Sequence, residues 1–327
     1  MADDILLMKP VFKQRIWGGS RLDDVFGYDI PGPDTGECWC ISAHPNGPSL
    51  INGGPYDGTS LDGLYHDHPE LFGYPESPSF PLLVKILDAK DDLSVQVHPG
   101  DRTEHGLFMY GKSECWRILD APEDAHVILG HRARTREEFE KMARQGRYDE
   151  LLIKKPVKTG DMIDVPAGTV HALMKGTLVL ETQQSSDVTY RIHDYDRTDK
   201  DGMKRDLHLD AALSCITFPH RDPEPSGITV RTRGAESRLR VRNPHFTLWE
   251  VEVTESVTIR HVPYLLMSAI EGIGSINGAP FAKGDHFIKT VMTDTVILTG
   301  RSTWIISYPE TEHKEAKNDN GTHLEFE

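Results

Sequence analysis

Alternation of apolar and polar positions over short runs dominates the chain, and each run is bounded by Gly, Pro, Asn or Asp. Residues 82–87, 94–98, 126–129, 178–183, 246–253, 257–262 and 296–298 carry this strand pattern. Helical spacing is scarce. The stretch T-R-E-E-F-E-K-M-A-R-Q-G-R-Y-D-E-L-L predicts one helix over 135–152, with Thr135 and Glu138 as a capping box and Phe139, Met142 and Ala143 on one face. Shorter helices are predicted over 204–213 and 60–71. The pattern predicts a mainly β protein, made of β-sandwich or barrel units with a few inserted helices. A Pro- and charge-rich stretch at 218–233 marks a boundary. It divides the chain into 1–232, holding the helical insertions near 135–152 and 204–213, and a β-sandwich at 233–327. The polar tail at 310–323 is expected to fray, and the Asn320-Gly321-Thr322 sequon carries little meaning in a chain that is not secreted.

Composition narrows this picture. At 327 residues, 38% hydrophobic and 27% charged, the chain has room for two ordinary globular cores. It has no apolar run of about eighteen residues and no basic N-terminal region leading into an apolar stretch. These features predict a soluble, cytoplasmic protein that neither spans nor binds a membrane. A formal charge of −15 excludes nucleic acid as a natural partner. Four cysteines, Cys38, Cys40, Cys115 and Cys215, are too few for a disulfide framework and read as packed hydrophobes. Oligomeric state is not legible.

The chemistry-bearing residues lie in the first two thirds. In the strand of L-S-V-Q-V-H-P (93–99), Ser94, Gln96 and His98 share one face, while Leu93, Val95 and Val97 share the other. A lone His before Pro is more often a satisfied turn residue than a ligand, so the later motifs decide. Glu114 precedes strand-like sequence in G-K-S-E-C-W (111–116). A Gly-x5-Pro-x-Gly-x2-His run at 160–171 predicts a turn at Gly160-Asp161, a strand, a tight corner at Pro166-Ala167-Gly168, and His171 delivered back to the sheet. Two imidazoles, a carboxylate and one neutral oxygen suit Zn²⁺ or another divalent first-row metal.

These motifs resemble those of the cupins, and within them the class I mannose-6-phosphate isomerases in their shorter bacterial form. I-W-G-G (16–19), G-E-C-W-C-I-S-A-H (36–44), F-P-L-L-V-K-I-L-D-A (80–89) and V-P-A-G-T-V-H-A-L (165–173) carry the resemblance, and L-E-T-Q-Q-S-S-D-V-T-Y-R-I-H-D-Y-D-R (180–197) carries it most specifically. The resemblance implies two cupin-type jelly-roll sandwiches, with the catalytic, metal-binding one at 1–232 and a second, cupin-like one at 233–327. It also implies a zinc-dependent aldose–ketose isomerase interconverting mannose 6-phosphate and fructose 6-phosphate, with one Zn²⁺ per chain. By motif, Gln96, His98, Glu114 and His171 hold the metal, Arg191 is the catalytic arginine, and Lys112, Lys85, Ser94 and Glu181 line the pocket. Cys40 departs from the family pattern, which often has an acidic residue there. Isomerisation needs a base, and the two candidates are Glu181, which burial could tune upward, and Lys112, if the metal and Arg191 lower it. Lys85, Lys112 and Arg191 also answer the charge problem, because a local cationic cleft can draw in a phosphorylated substrate against the global sign. Arg191 could instead be paired with Asp187, Asp194 or Asp196. Another cupin enzyme, such as a metal-dependent dioxygenase or a different sugar-phosphate isomerase, and a non-catalytic sugar-binding or regulatory cupin are the rival functions. Gln96 and Tyr190-Arg191 weigh against a dioxygenase, and the complete residue set against the non-catalytic reading.

Overall fold

The computed structural model describes residues 4–224, 227–260, 264–310 and 324–327. The 311–323 part of the tail, the sequon within it, and the end of the strand expected over 257–262 lie outside the described residues.

The chain forms two compact units, each assembled from separate stretches of sequence. One comprises Met1–Val11, Trp39–Leu83 and Pro225–Glu327; the other comprises Phe12–Cys38 and Val84–Glu224. Composition suggested a single cut after residue 232, whereas the two units are interleaved. The reason is strand pairing: Ile5–Lys9 lies antiparallel to His286–Lys289 on one side and to Leu50–Ile51 on the other. The first unit is built on a large antiparallel sheet. In it the order runs Thr229–Arg231, Ala235–Arg242, Phe246–Val253, Thr295–Pro309, Leu265–Ile276, His286–Lys289, Ile5–Lys9. Its core gathers Trp249, Val251, Met267, Trp304 and Ile306.

The second unit carries two sheets. Glu114–Asp120 is flanked in one by Met162–Val165 and Leu178–Gln184, and the sheet continues through Leu82–Asp88. In the other, the order is Leu152–Pro156, His126–His131, His171–Ala172, Val95–Val97, Tyr190–His193. Val95 and Val97 bury their side chains with Val170 and Ile192, as alternation predicts. Leu93 does not join them. It packs with Trp17 and Trp116 because the strand begins only at Val95.

The strands are largely where periodicity put them, but the helices are shorter. The helix expected over 135–152 divides into Arg136–Arg144 and Tyr148–Leu151. Thr135 accepts from the Glu138 amide as the cap requires, but Gly146 turns left-handed at φ 70° and stops the first segment. Over 60–71 the helix Leu61–Asp67 gives way to a 3₁₀ turn at Pro69, whose ring cannot continue it. The helix expected over 204–213 begins only at Leu209. Lys204 instead bridges to Thr198, and the His208 amide donates to the Arg191 carbonyl at 2.7 Å, so this backbone pairs with its neighbours rather than with itself. No helix among the described residues is long and apolar enough to cross a membrane.

Candidate metal centre

Two local devices deliver the histidines. His98 follows directly on Val95–Val97, and its carbonyl accepts from the Gly168 amide at 2.8 Å. Gly168 sits at φ 87° in the corner predicted for 166–168, where a Cβ would lie 2.5 Å from the Thr217 hydroxyl oxygen. Only glycine fits there, and the corner returns the chain so that His171 pairs with Gln96. Glu114 comes from the other sheet of the same unit, held between Val165 and Gln183. One sheet thus supplies both imidazoles and the other supplies the carboxylate.

His98, Glu114 and His171 are all buried, with candidate ligand atoms within 4.8 Å of one another. His98 Nε2 lies 3.5 Å from Glu114 Oε2, and His171 Nε2 lies 3.3 Å from Glu114 Oε1. Donor atoms this close could be held by one small cation. The outer nitrogen of each ring is already engaged: His98 Nδ1 with the Val188 carbonyl at 2.8 Å, and His171 Nδ1 with the Thr169 carbonyl at 2.9 Å. A carbonyl can only accept, so each Nδ1 carries the proton and each Nε2 lone pair points inward. Burial, followed by the Lys112 ammonium, lowers both rings, His98 well below the usual range and His171 to about 4. His171 Nε2 therefore presents a neutral lone pair to Glu114 Oε1, which is buried without a hydrogen-bond partner, and His98 Nε2 presents one to Glu114 Oε2. Converging imidazole nitrogens and a carboxylate call for a cation. The Lys112 ammonium meets His98 Nε2 and Glu114 Oε2, while Glu114 Oε1 beside His171 Nε2 is left without a hydrogen bond, and the donor set fits a divalent metal.

Gln96 borders this cluster. Its amide nitrogen donates toward His171 Nε2 at 3.2 Å, and its oxygen lies 3.4 Å from the Ser94 hydroxyl. An oxygen ligand needs the amide turned over, which Ser94 can tolerate because a hydroxyl both donates and accepts. Ser94 also receives Arg191 Nε at 3.3 Å, so Arg191, Ser94, Gln96 and His171 form one chain of contacts. The second partner of Arg191 is the Asp206 carbonyl at 2.9 Å. Two of the carboxylates that could have neutralised it are used elsewhere. Asp194 is gripped by Arg197 and Arg205, and Asp196 by Lys204.

Lys112 donates to His98 Nε2 at 2.9 Å and to Glu114 Oε2. Burial works against its charge, but the carboxylates of Glu114 and Glu181 more than offset this and hold it above the ordinary lysine range. Among the protein's own groups the two carboxylates therefore outweigh any lowering by Arg191 and keep Lys112 an ammonium. Glu181 shifts as expected: burial and the neighbouring Glu114 charge raise it, against Lys112 and Lys85. Lys85 Nζ lies 3.6 Å from Glu181 Oε2, with both side chains buried. Cys40 is fully buried and outside the ligand cluster.

Trp116 was missed in the sequence. Its indole nitrogen donates to Glu181 Oε1 at 3.0 Å, and its ring meets His171 edge-on at 5.5 Å. Alternation from Glu114 could have found it, since the two share a strand face. The Val188 and Thr169 carbonyls, by contrast, leave no signal in the sequence.

The family model for the catalytic domain of type I phosphomannose isomerase matches residues 5–120. The chain is 44% identical to the probable mannose-6-phosphate isomerase GmuF of Bacillus subtilis, covering 93% of this chain and 99% of the relative. It is 46% identical to the mannose-6-phosphate isomerase of Streptococcus mutans, over 88% of this chain and 92% of the relative. The chain belongs to the type I phosphomannose isomerases. The solved mannose 6-phosphate isomerase of Bacillus subtilis superposes with a TM-score of 0.90 at 42% identity, over 93% of this chain and 99% of that one. The mainly β architecture is thus the cupin fold of the phosphomannose isomerases, as the resemblance implied.

Proposed function

We propose that this isomerase interconverts mannose 6-phosphate and fructose 6-phosphate through a cis-enediol(ate), using one zinc ion per chain held by His98, Glu114, His171 and Gln96. The observation that carries the reading is the convergence of the His98 and His171 Nε2 lone pairs on the two oxygens of Glu114, one of them without a hydrogen-bond partner, with Lys85 and Lys112 buried beside it. When bound, the metal supplies Lewis-acid polarisation of the substrate oxygens.

The remaining tasks fall to the chain's own residues. A proton must move between C2 and C1, and a second between the two oxygens. Glu181, a buried carboxylate with a raised proton affinity, is the acceptor for the carbon-bound proton. Lys112, held as an ammonium, keeps or delivers a proton at oxygen. Arg191 adds a permanent positive charge beside the developing oxyanion, and Ser94 fixes its guanidinium. Lys85 orients Glu181 and adds to the field that draws a phosphorylated sugar into a protein of net charge −15.

In this reading the reaction belongs to the unit that carries the cluster, and the other unit takes no chemical part. The protein acts in the cytoplasm on a small sugar phosphate, without nucleic acid or membrane. Metal analysis combined with a coupled assay of mannose 6-phosphate conversion tests it. Turnover that rises with bound zinc is expected, and a fully zinc-loaded protein without turnover overturns the reading.

A further inference from the structure

Between His98 and Glu114 the chain leaves through Pro99, Gly100 and Asp101 and folds into the hairpin of Arg102–Glu104 and Leu107–Met109. It returns through Gly111, Lys112 and Ser113. The hairpin strands pair only with each other among the described residues, so they do not fix the returning segment. Three consecutive amides do. The Gly111 amide donates to Asp101 Oδ1 at 2.6 Å, the Lys112 amide to the Pro99 carbonyl at 3.0 Å, and the Ser113 amide to Gln184 Oε1 at 3.0 Å.

Gln184 closes the arrangement. Its Nε2 donates to the same Asp101 oxygen at 2.8 Å, and its own amide donates to the Ser113 carbonyl at 3.0 Å. The side chain is buried, and both ends of its amide have fixed roles. Oε1 must accept from an N–H and Nε2 must donate to a carboxylate, so the group cannot turn over without losing both bonds. Lysine has a flexible four-carbon stem, and its ammonium is placed only as well as its backbone is held. Here that ammonium reaches both His98 Nε2 and Glu114 Oε2.

We propose that Gln184, braced by Asp101, is a positioning residue for the isomerisation, fixing residues 111–113 so that Lys112 meets substrate in one place. The inference rests on the role given to Lys112 above. Neither Gln184 nor Asp101 bonds to the ligand cluster itself; both act through the backbone that carries Lys112.

The test uses the zinc-loaded full chain and the variants Gln184→Ala, Asp101→Ala, Asp101→Asn and Lys112→Ala, with metal content, kcat, KM and amide hydrogen exchange measured on each. Gln184→Ala should lower kcat by about 10- to 100-fold, the scale of a misplaced catalytic group, with little change in KM or zinc. The amides of residues 111–113 should exchange faster in the same variant. Asp101→Ala should behave alike, the Ala pair combined should cost no more than the worse single change, and Asp101→Asn, which keeps an oxygen acceptor, should recover most of the rate. Gln184→Ala with a near-normal kcat, or with zinc lost in step with activity, overturns the inference. So does Asp101→Asn as impaired as Asp101→Ala, which also decides the matter if Gln184→Ala fails to fold. Lys112→Ala separates the two levels. A normal rate there removes the role of Lys112 and the inference with it, whereas a crippled Lys112→Ala beside a normal Gln184→Ala removes the inference alone.

Discussion

An imidazole offers two nitrogens, and at His98 and His171 the outer one is committed to a main-chain carbonyl. Replacing either ring with alanine removes one of the two inward lone pairs, so His98→Ala and His171→Ala should lose metal and activity together. Arg191→Ala should separate the two, keeping zinc by elemental analysis while kcat falls by roughly 10²–10³, the cost of one transition-state donor. A near-normal rate would place Arg191 outside the chemistry. Trp116→Phe asks a finer question. Its N–H bond to Glu181 lowers the proton affinity of that carboxylate, so its removal should raise it further. If ionised Glu181 is the acceptor, the acid limb of the kcat–pH profile must move to higher pH. A limb that stays in place would assign the proton transfer to another group.

At the level of elements, the corner at Gly168 couples the two histidines, since one amide ties it to the His98 carbonyl while its turn aims His171. Gly168→Ala puts a methyl 2.5 Å from Thr217 Oγ1 and 2.9 Å from the Cys215 carbonyl, at a φ of 87°. It should cost on the order of 1–3 kcal/mol in urea unfolding and weaken zinc binding as well. Unchanged zinc affinity would mean that the corner is only structural. This corner, the ligand strand and Glu114 were legible because each rests on local rules: glycine where φ is positive, alternation where one face is buried. The helix ends were less so, because Lys204 and His208 spend their backbone groups on distant partners that no local pattern reports. Leu93 failed for a similar reason, its alternation overridden by the late start of the strand.

For the molecule as a whole, the buried histidines link acid to stability. Both rings bind a proton less readily when folded than at the ordinary value of about 6.5, His171 titrating at about 4. The unfolded chain therefore takes up more protons as pH falls through this window. The stabilisation is present above the unfolded value and is lost on the way down to the folded ones. Metal binding steepens the effect, because its ligands must be unprotonated. Zinc retained on dialysis and the melting temperature should both drop between about pH 7 and pH 5, and a flat response would show that neither ring is held neutral. The raised proton affinity of Lys112 was not legible at this same scale, since sequence shows the cations nearby but not the two carboxylates that fold around it.

The pairing of Ile5 with Lys289 has a consequence for biosynthesis. At roughly 5–20 residues per second on the ribosome, the first strand waits tens of seconds for its partner to be made. All of Phe12–Cys38 and Val84–Glu224 has been synthesised by then. The unit bearing His98, Glu114 and His171 can thus close, and capture its cation, while the other unit still lacks most of its sheet. During that interval the unpaired edge of Ile5–Lys9 is the part of the nascent chain most exposed to wrong partners.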